Sequence, residues 1–100
     1  MTGTKKTFTY EFEPEPTNRL SFDYSEDADE KLDVLIENGV PIIYVNRSAL
    51  ITLAKLLLKM ALGSYREGFH VHLRKDFNAD EPDRLTVMLY PGKSSDQTGL

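Results

Sequence analysis

Apolar and polar residues alternate from Thr7 to Glu13, with Phe8, Tyr10 and Phe12 on one side and Thr7, Thr9, Glu11 and Glu13 on the other. That period of two predicts a strand with one apolar and one wet face, ended by Pro14 and Pro16. Leu20, Phe22 and Tyr24 alternate with Ser21 and Asp23 in the same way, so the two runs predict a hairpin across the Pro-Glu-Pro-Thr-Asn connection. The period then lengthens, and Ala28, Leu32, Leu35 and Ile36 fall on one face of a 3.6-residue helix. Asp27 is placed to cap it, Glu30 completes a capping box, and Asn38-Gly39 followed by Pro41 reads as its stop. These signals predict a helix from Ala28 to Asn38.

Ile42 to Val45 is β-branched and aromatic and apolar on both faces, the composition of a central rather than an edge strand. Asn46 or Ser48 then caps a second helix that ends near Gly63. Around that helix Leu50, Leu53, Ala54, Leu57, Leu58, Met60, Ala61 and Leu62 cover half the circumference or more. One sheet face cannot hide so wide an arc, so its flanks must meet the first helix, a loop or a second subunit. Further on, Phe69, Val71 and Leu73 alternate with His70, His72 and Arg74, and Leu85, Val87 and Leu89 alternate with Arg84, Thr86 and Met88. The two runs predict an antiparallel hairpin with a polar loop from Asp76 to Asp83. Pro91-Gly92 closes the last element.

Together these elements predict an α+β fold, a four- to five-stranded, mainly antiparallel sheet with two helices packed on it. A single domain is expected over residues 1–92, followed by a flexible polar tail over 93–100. A chain of 100 residues, 40% of them apolar, can bury a core without a disulfide or metal clamp, and the absence of cysteine excludes zinc-thiolate sites and thiol nucleophiles. The start of the chain, Met1 to Lys6, lacks the apolar core of a signal peptide, so a cytoplasmic location is expected. No membrane span is expected either. The richest apolar run, Ala49 to Leu62, is short and broken by Lys55 and Lys59.

Charge narrows the partners. The formal net charge is −4, and the ten carboxylates between Glu11 and Glu37 face only Arg19 and Lys31. Nucleic acid is not an expected partner, because phosphate contacts need a basic stripe and Lys55, Lys59, Arg66, Arg74 and Lys75 are dispersed. The acidic residues Asp29, Glu30, Asp33 and Glu37 have two readings: a solvated helix face that keeps the chain soluble, or a patch that docks a basic protein.

Catalytic chemistry finds little support. His70 and His72, at i and i+2 on a strand, make one half of a metal site at most, since a catalytic zinc needs a third protein ligand and an open position. Two readings stay open for them: rings hydrogen-bonded or solvated on a sheet face, or the core of a small metal-dependent enzyme or metal-binding protein. Ser21, Ser48 and Ser64 lie in no Gly-x-Ser-x-Gly setting, and no Gly-rich loop follows a strand. No cofactor and no enzymatic activity are expected. A structural homodimer, joined through the second helix or the Ile42/Tyr44 face, is a further alternative.

From Val45 to Leu89 the chain carries a Leu-rich helix, Ala49 to Ala61, then Gly68-Phe69-His70-Val71-His72-Leu73 and a last strand, Arg84 to Leu89. This half resembles the small bacterial immunity proteins of polymorphic toxin systems, in particular the family marked by a helix followed by a His-x-His-Leu strand. The resemblance implies a chain that neutralises a toxin domain by binding it, with no chemistry of its own. It places the family's hallmark histidine at His72, with His70 beside it, and extends to none of the first 40 residues.

Overall fold

The computed structural model describes residues 4–24 and 29–91. The expected cap Asp27, the expected helix start Ala28, Gly92 and the tail 93–100 lie outside those residues. The architecture is α+β: strands β1 (Leu32–Glu37) and β2 (Val40–Val45), helix α1 (Arg47–Leu62), then strands β3 (His70–Arg74) and β4 (Asp83–Met88), with a tight turn, Lys75–Phe77, between the last two, in which Asp76 and Phe77 both have positive φ. The strands make two separate two-stranded antiparallel sheets, β1 with β2 and β3 with β4.

The first hairpin is set by its turn. Asn38 and Gly39 both have positive φ, 54° and 78°, the requirement of a two-residue type I′ connection whose twist matches the strands it joins. Leu32 consequently lies opposite Val45 and Glu37 opposite Val40. In the second hairpin His70 faces Met88 and His72 faces Thr86, and an irregularity after Leu73 brings Arg74 against Asp83.

Helix α1 begins where β2 ends because Asn46 ties both to the chain ahead of β1. Its side-chain oxygen accepts from the Ala49 amide at 3.0 Å and from the Lys31 amide at 3.1 Å, while its amide nitrogen donates to the Asp29 carbonyl at 2.6 Å. The helix turns Ala49, Thr52, Leu56, Lys59 and Met60 inward. Leu56 meets Leu32 of one hairpin and Leu73 of the other, and Val45, Val71, Leu85 and Val87 close around them with Leu20 and Phe22 of the N-terminal segment. The core is therefore one helix face laid across two hairpins. The hairpins are joined beneath it by the Leu32 amide, which donates to Asp76 at 2.9 Å, and by Arg84 paired with Asp33 at 3.0 Å.

Several expectations are corrected. Leu32–Glu37 is a strand, so the helix predicted from Ala28 to Asn38 is not formed, and Asn38-Gly39 turns a hairpin instead of ending a helix. The Phe8–Phe12 and Leu20–Tyr24 runs form no strands. They carry no regular secondary structure and are held to each other by the Tyr10 hydroxyl on Asp23 and to α1 by Lys59. Among the described residues the sheet of four to five strands resolves into two pairs, and β2, read as central, is paired on one side only. The second helix, its Asn46 cap and the β3–β4 hairpin stand as read.

Candidate protein-binding surface

The residues singled out from the sequence sit in three places. Asp29 and Glu30 lie in the chain ahead of β1, where Asp29 is 3.5 Å from the Lys31 ammonium and the Glu30 carboxylate accepts the hydroxyl of buried Thr52 at 2.7 Å. Asp33 and Glu37 lie on β1, on one face but about 13 Å apart along the strand. Asp33 holds Arg84 and accepts the Val34 amide at 2.8 Å. Glu37 accepts the Tyr44 hydroxyl across the hairpin, which raises the Tyr44 pKa above its ordinary value. The four carboxylates thus share no helix face, and each has an intramolecular partner.

His70 and His72 do share a strand face, with ring centroids 5.0 Å apart, edge to face. His70 Nδ1 lies 3.1 Å from the Gly68 carbonyl; His72 Nδ1 lies 3.0 Å from the Thr86 hydroxyl and 3.5 Å from the Asp83 carboxylate. A hydroxyl–imidazole–carboxylate relay uses both ring nitrogens, one toward each partner, whereas here both partners crowd the same nitrogen. Among the described residues no three His, Asp or Glu side chains cluster in a way that could hold a metal ion. Beside His72, a shallow open hollow of about 180 Å³ is lined by Phe22, Tyr24, Phe77, Arg74 and Ala79. Its Arg74 is already spent on the Ala79 carbonyl at 2.8 Å and on Asp83 at 3.2 Å.

A buried polar cluster braces the N-terminal segment. Lys59 donates to Glu15 at 3.1 Å, to the Ser21 carbonyl at 3.0 Å and to Asp23 at 3.4 Å. The Ser21 amide, 2.8 Å from the Glu15 carboxylate, leads the causes that hold Glu15 down to about 2, with Ser21 hydroxyl and Lys59 contacts adding to it. Asp23 is lowered by the Tyr10 hydroxyl first and by Lys59 second, and Tyr10 is pushed up to about 12 by burial and by that same carboxylate. These groups neutralise one another inside the molecule, which suits a brace better than a reaction centre.

The sequence marked only the Ile42/Tyr44 face here, whereas the apolar surface of the first hairpin is wider. Alternation puts Leu32, Val34 and Ile36 on one face with Val45, Ile43 and Pro41, and Asp33, Leu35 and Glu37 on the other with Tyr44, Ile42 and Val40. The core covers the first face only near Leu32 and Val45. Beyond it both faces run into solvent: Ile36 is 72% exposed, Val40 57%, and Leu35, Ile43 and Tyr44 nearly half exposed. The backbone is open there as well. A two-residue turn makes Glu37 and Val40 a hydrogen-bonded pair, so alternation turns the peptide groups of Pro41, Ile43 and Val45 outward along the free edge of β2. The apolar run over both faces of residues 42–45 was the available signal; the structure gives it an uncovered hairpin in place of a covered sheet.

Comparison with protein-family models, with curated proteins and with solved structures gives no match to this chain. Among the described residues no helix is long and apolar enough to cross a membrane.

Proposed function

We propose that the chain is a non-catalytic protein-binding module of the immunity type, which neutralises a toxin domain by direct binding, and that the β1–β2 hairpin is the surface it presents. The observation that supports this reading is the hairpin's tip, where Leu35, Ile36, Val40, Ile43 and Tyr44 stand in solvent beside a strand edge that no other described strand pairs with. A contiguous apolar surface held by a fixed turn is what a protein partner desolvates, and a free edge can take an added strand of that partner. The net charge of −4 suits a basic toxin domain, with Glu37 at the rim of the apolar patch. The His-x-His-Leu strand carries the likeness to immunity proteins, and His70 and His72 lie on its exposed side.

The test is co-expression with candidate basic toxin domains, those encoded beside this chain's own gene first, followed by kinetic binding measurements on the purified pair. Growth rescue and direct binding are expected. Ile36→Asp combined with Val40→Asp should weaken binding by about 30-fold or more, as loss of one strong interface anchor does, while leaving the melting temperature unchanged. Absence of rescue, or unaltered affinity in that variant, sinks the proposal.

A further inference from the structure

Helix α1 has a second apolar face that its own molecule does not use. Ala49, Thr52, Leu56, Lys59 and Met60 point into the core. The opposite side carries Leu50, Ala54, Leu57 and Ala61, all exposed, at spacings of four, three and four residues, flanked by exposed Ile51, Leu58 and Leu62. That alternation of four and three is the seam of one helix packed along another, and neither a sheet surface nor a membrane demands it. We infer that α1 is the contact of a two-fold symmetric homodimer, laid antiparallel against α1 of a second copy.

Three observations choose this occupant and this orientation. First, Leu50 and Leu57 alternate with Ala54 and Ala61, so in an antiparallel register each leucine of one copy sits over an alanine of the other, Leu50 on Ala61 and Leu57 on Ala54. Second, the flank beside the seam that is free to meet a partner is Ile51 and Leu58, while the other flank, Leu53 and Met60, is turned toward the chain's own core. Antiparallel helices bring like flanks together, Ile51 against Leu58 of the partner copy; parallel helices would need the flank already in use. Third, the register sets Arg47, at the start of one helix, against the carbonyl end of the other, where the helix dipole favours a cation.

The area is of the right size. Leu50, Ile51, Leu57, Leu58 and Leu62, the last 68% exposed, leave open on the order of 500 Å² of apolar surface, more than half of the roughly 800 Å² each partner gives to a standard interface.

Sedimentation equilibrium of the full chain should give twice its 11.4 kDa mass at about 100 μM, and Leu57→Glu should return the single mass with its circular dichroism unchanged. The native chain lacks cysteine, so single replacements report geometry independently of that variant. Ala54→Cys, next to the two-fold axis, should oxidise to a disulfide-linked dimer, whereas Leu50→Cys, about 16 Å from its own copy, should not. A single-mass native chain overturns the proposal, as does a dimer that survives Leu57→Glu or a disulfide in both cysteine variants. Sedimentation of a monomeric chain with anionic phospholipid vesicles would give the stripe to a lipid surface and overturn it equally.

Discussion

Lys59 shows how much one residue can be asked to hold. Its ammonium is nearly buried, yet it meets Glu15, the Ser21 carbonyl and Asp23, so one cation gathers three acceptors of the N-terminal segment onto α1. Replacing it with Met keeps the stem's volume and takes the cation from two carboxylates, one of them largely inaccessible, which keep only the Ser21 and Arg19 contacts of Glu15 and the Tyr10 contact of Asp23. Lys59→Met is therefore expected to lower unfolding stability by about 3 kcal/mol, read from urea titration. An effect within about 0.5 kcal/mol would mean that Glu15 and Asp23 reach water without it. Asn46 is the comparable residue at the other end of the helix. Its side chain caps α1 and also holds Lys31 and Asp29, so Asn46→Ala should cost at least the 1 to 2 kcal/mol, approximately, of a strong cap, and Asn46→Asp should recover the cap but not the donor to Asp29. The cap was legible in the sequence because it is local, three residues from the amide that donates to it. The Lys59 brace was not, since Glu15 lies 44 positions away and no spacing rule connects them.

At the scale of elements, the first hairpin is decided by two residues. Asn38-Gly39 is compatible with a helix stop and with a type I′ turn, and the residues before it do not break the tie, because Leu32, Leu35 and Ile36 fit a helical face. The alternation that would have marked a strand is absent, since this hairpin is apolar on both faces over much of its length. The second hairpin was readable because one face meets the core and the other carries His70, His72 and Thr86, which imposes a clear period of two. In the N-terminal segment the period of two was present but no strand formed: the aromatic rings stack on one another and on the Lys55 ammonium without ladder pairing. Pattern reports which side is buried, and a strand also needs a neighbouring edge. The turn itself makes a sharp prediction. A Cβ at Gly39 meets nothing within 4 Å, so Gly39→Ala tests backbone conformation alone and should destabilise by about 1 kcal/mol, whereas Asn38→Gly should be nearly neutral. Thermal melts of the two variants check it; equal effects would show that the positive φ at Gly39 is not what fixes the turn.

Across the whole molecule, the joints between elements rest on carboxylates while the elements themselves rest on backbone pairing and leucine packing. Glu15 and Asp23 fasten the N-terminal segment to α1, and Asp76 takes the Leu32 amide that aligns the two hairpins. All three are held below their ordinary pKa in the folded chain, Glu15 to about 2 and chiefly by the Ser21 amide, Asp23 by Tyr10 and Asp76 by the Leu32 amide. Depressed values mean that the folded state binds fewer protons than the unfolded one. Their contribution is complete above the ordinary carboxylate range, about pH 4 to 5, and is lost as pH falls from there toward 2. Acid should therefore loosen the joints before it melts the hairpins. Amide resonances of Ser21 and Leu32 are expected to titrate with midpoints below pH 4, ahead of the collapse of far-ultraviolet circular dichroism, and Glu15→Gln together with Asp76→Asn should flatten the dependence of the urea midpoint on pH between about 5 and 2. Midpoints in the ordinary carboxylate range would sink the idea that these contacts set the acid limit. A steep pH dependence retained in the double variant would instead move that limit to Asp23, the remaining member of the brace, for which Asp23→Asn is the direct check.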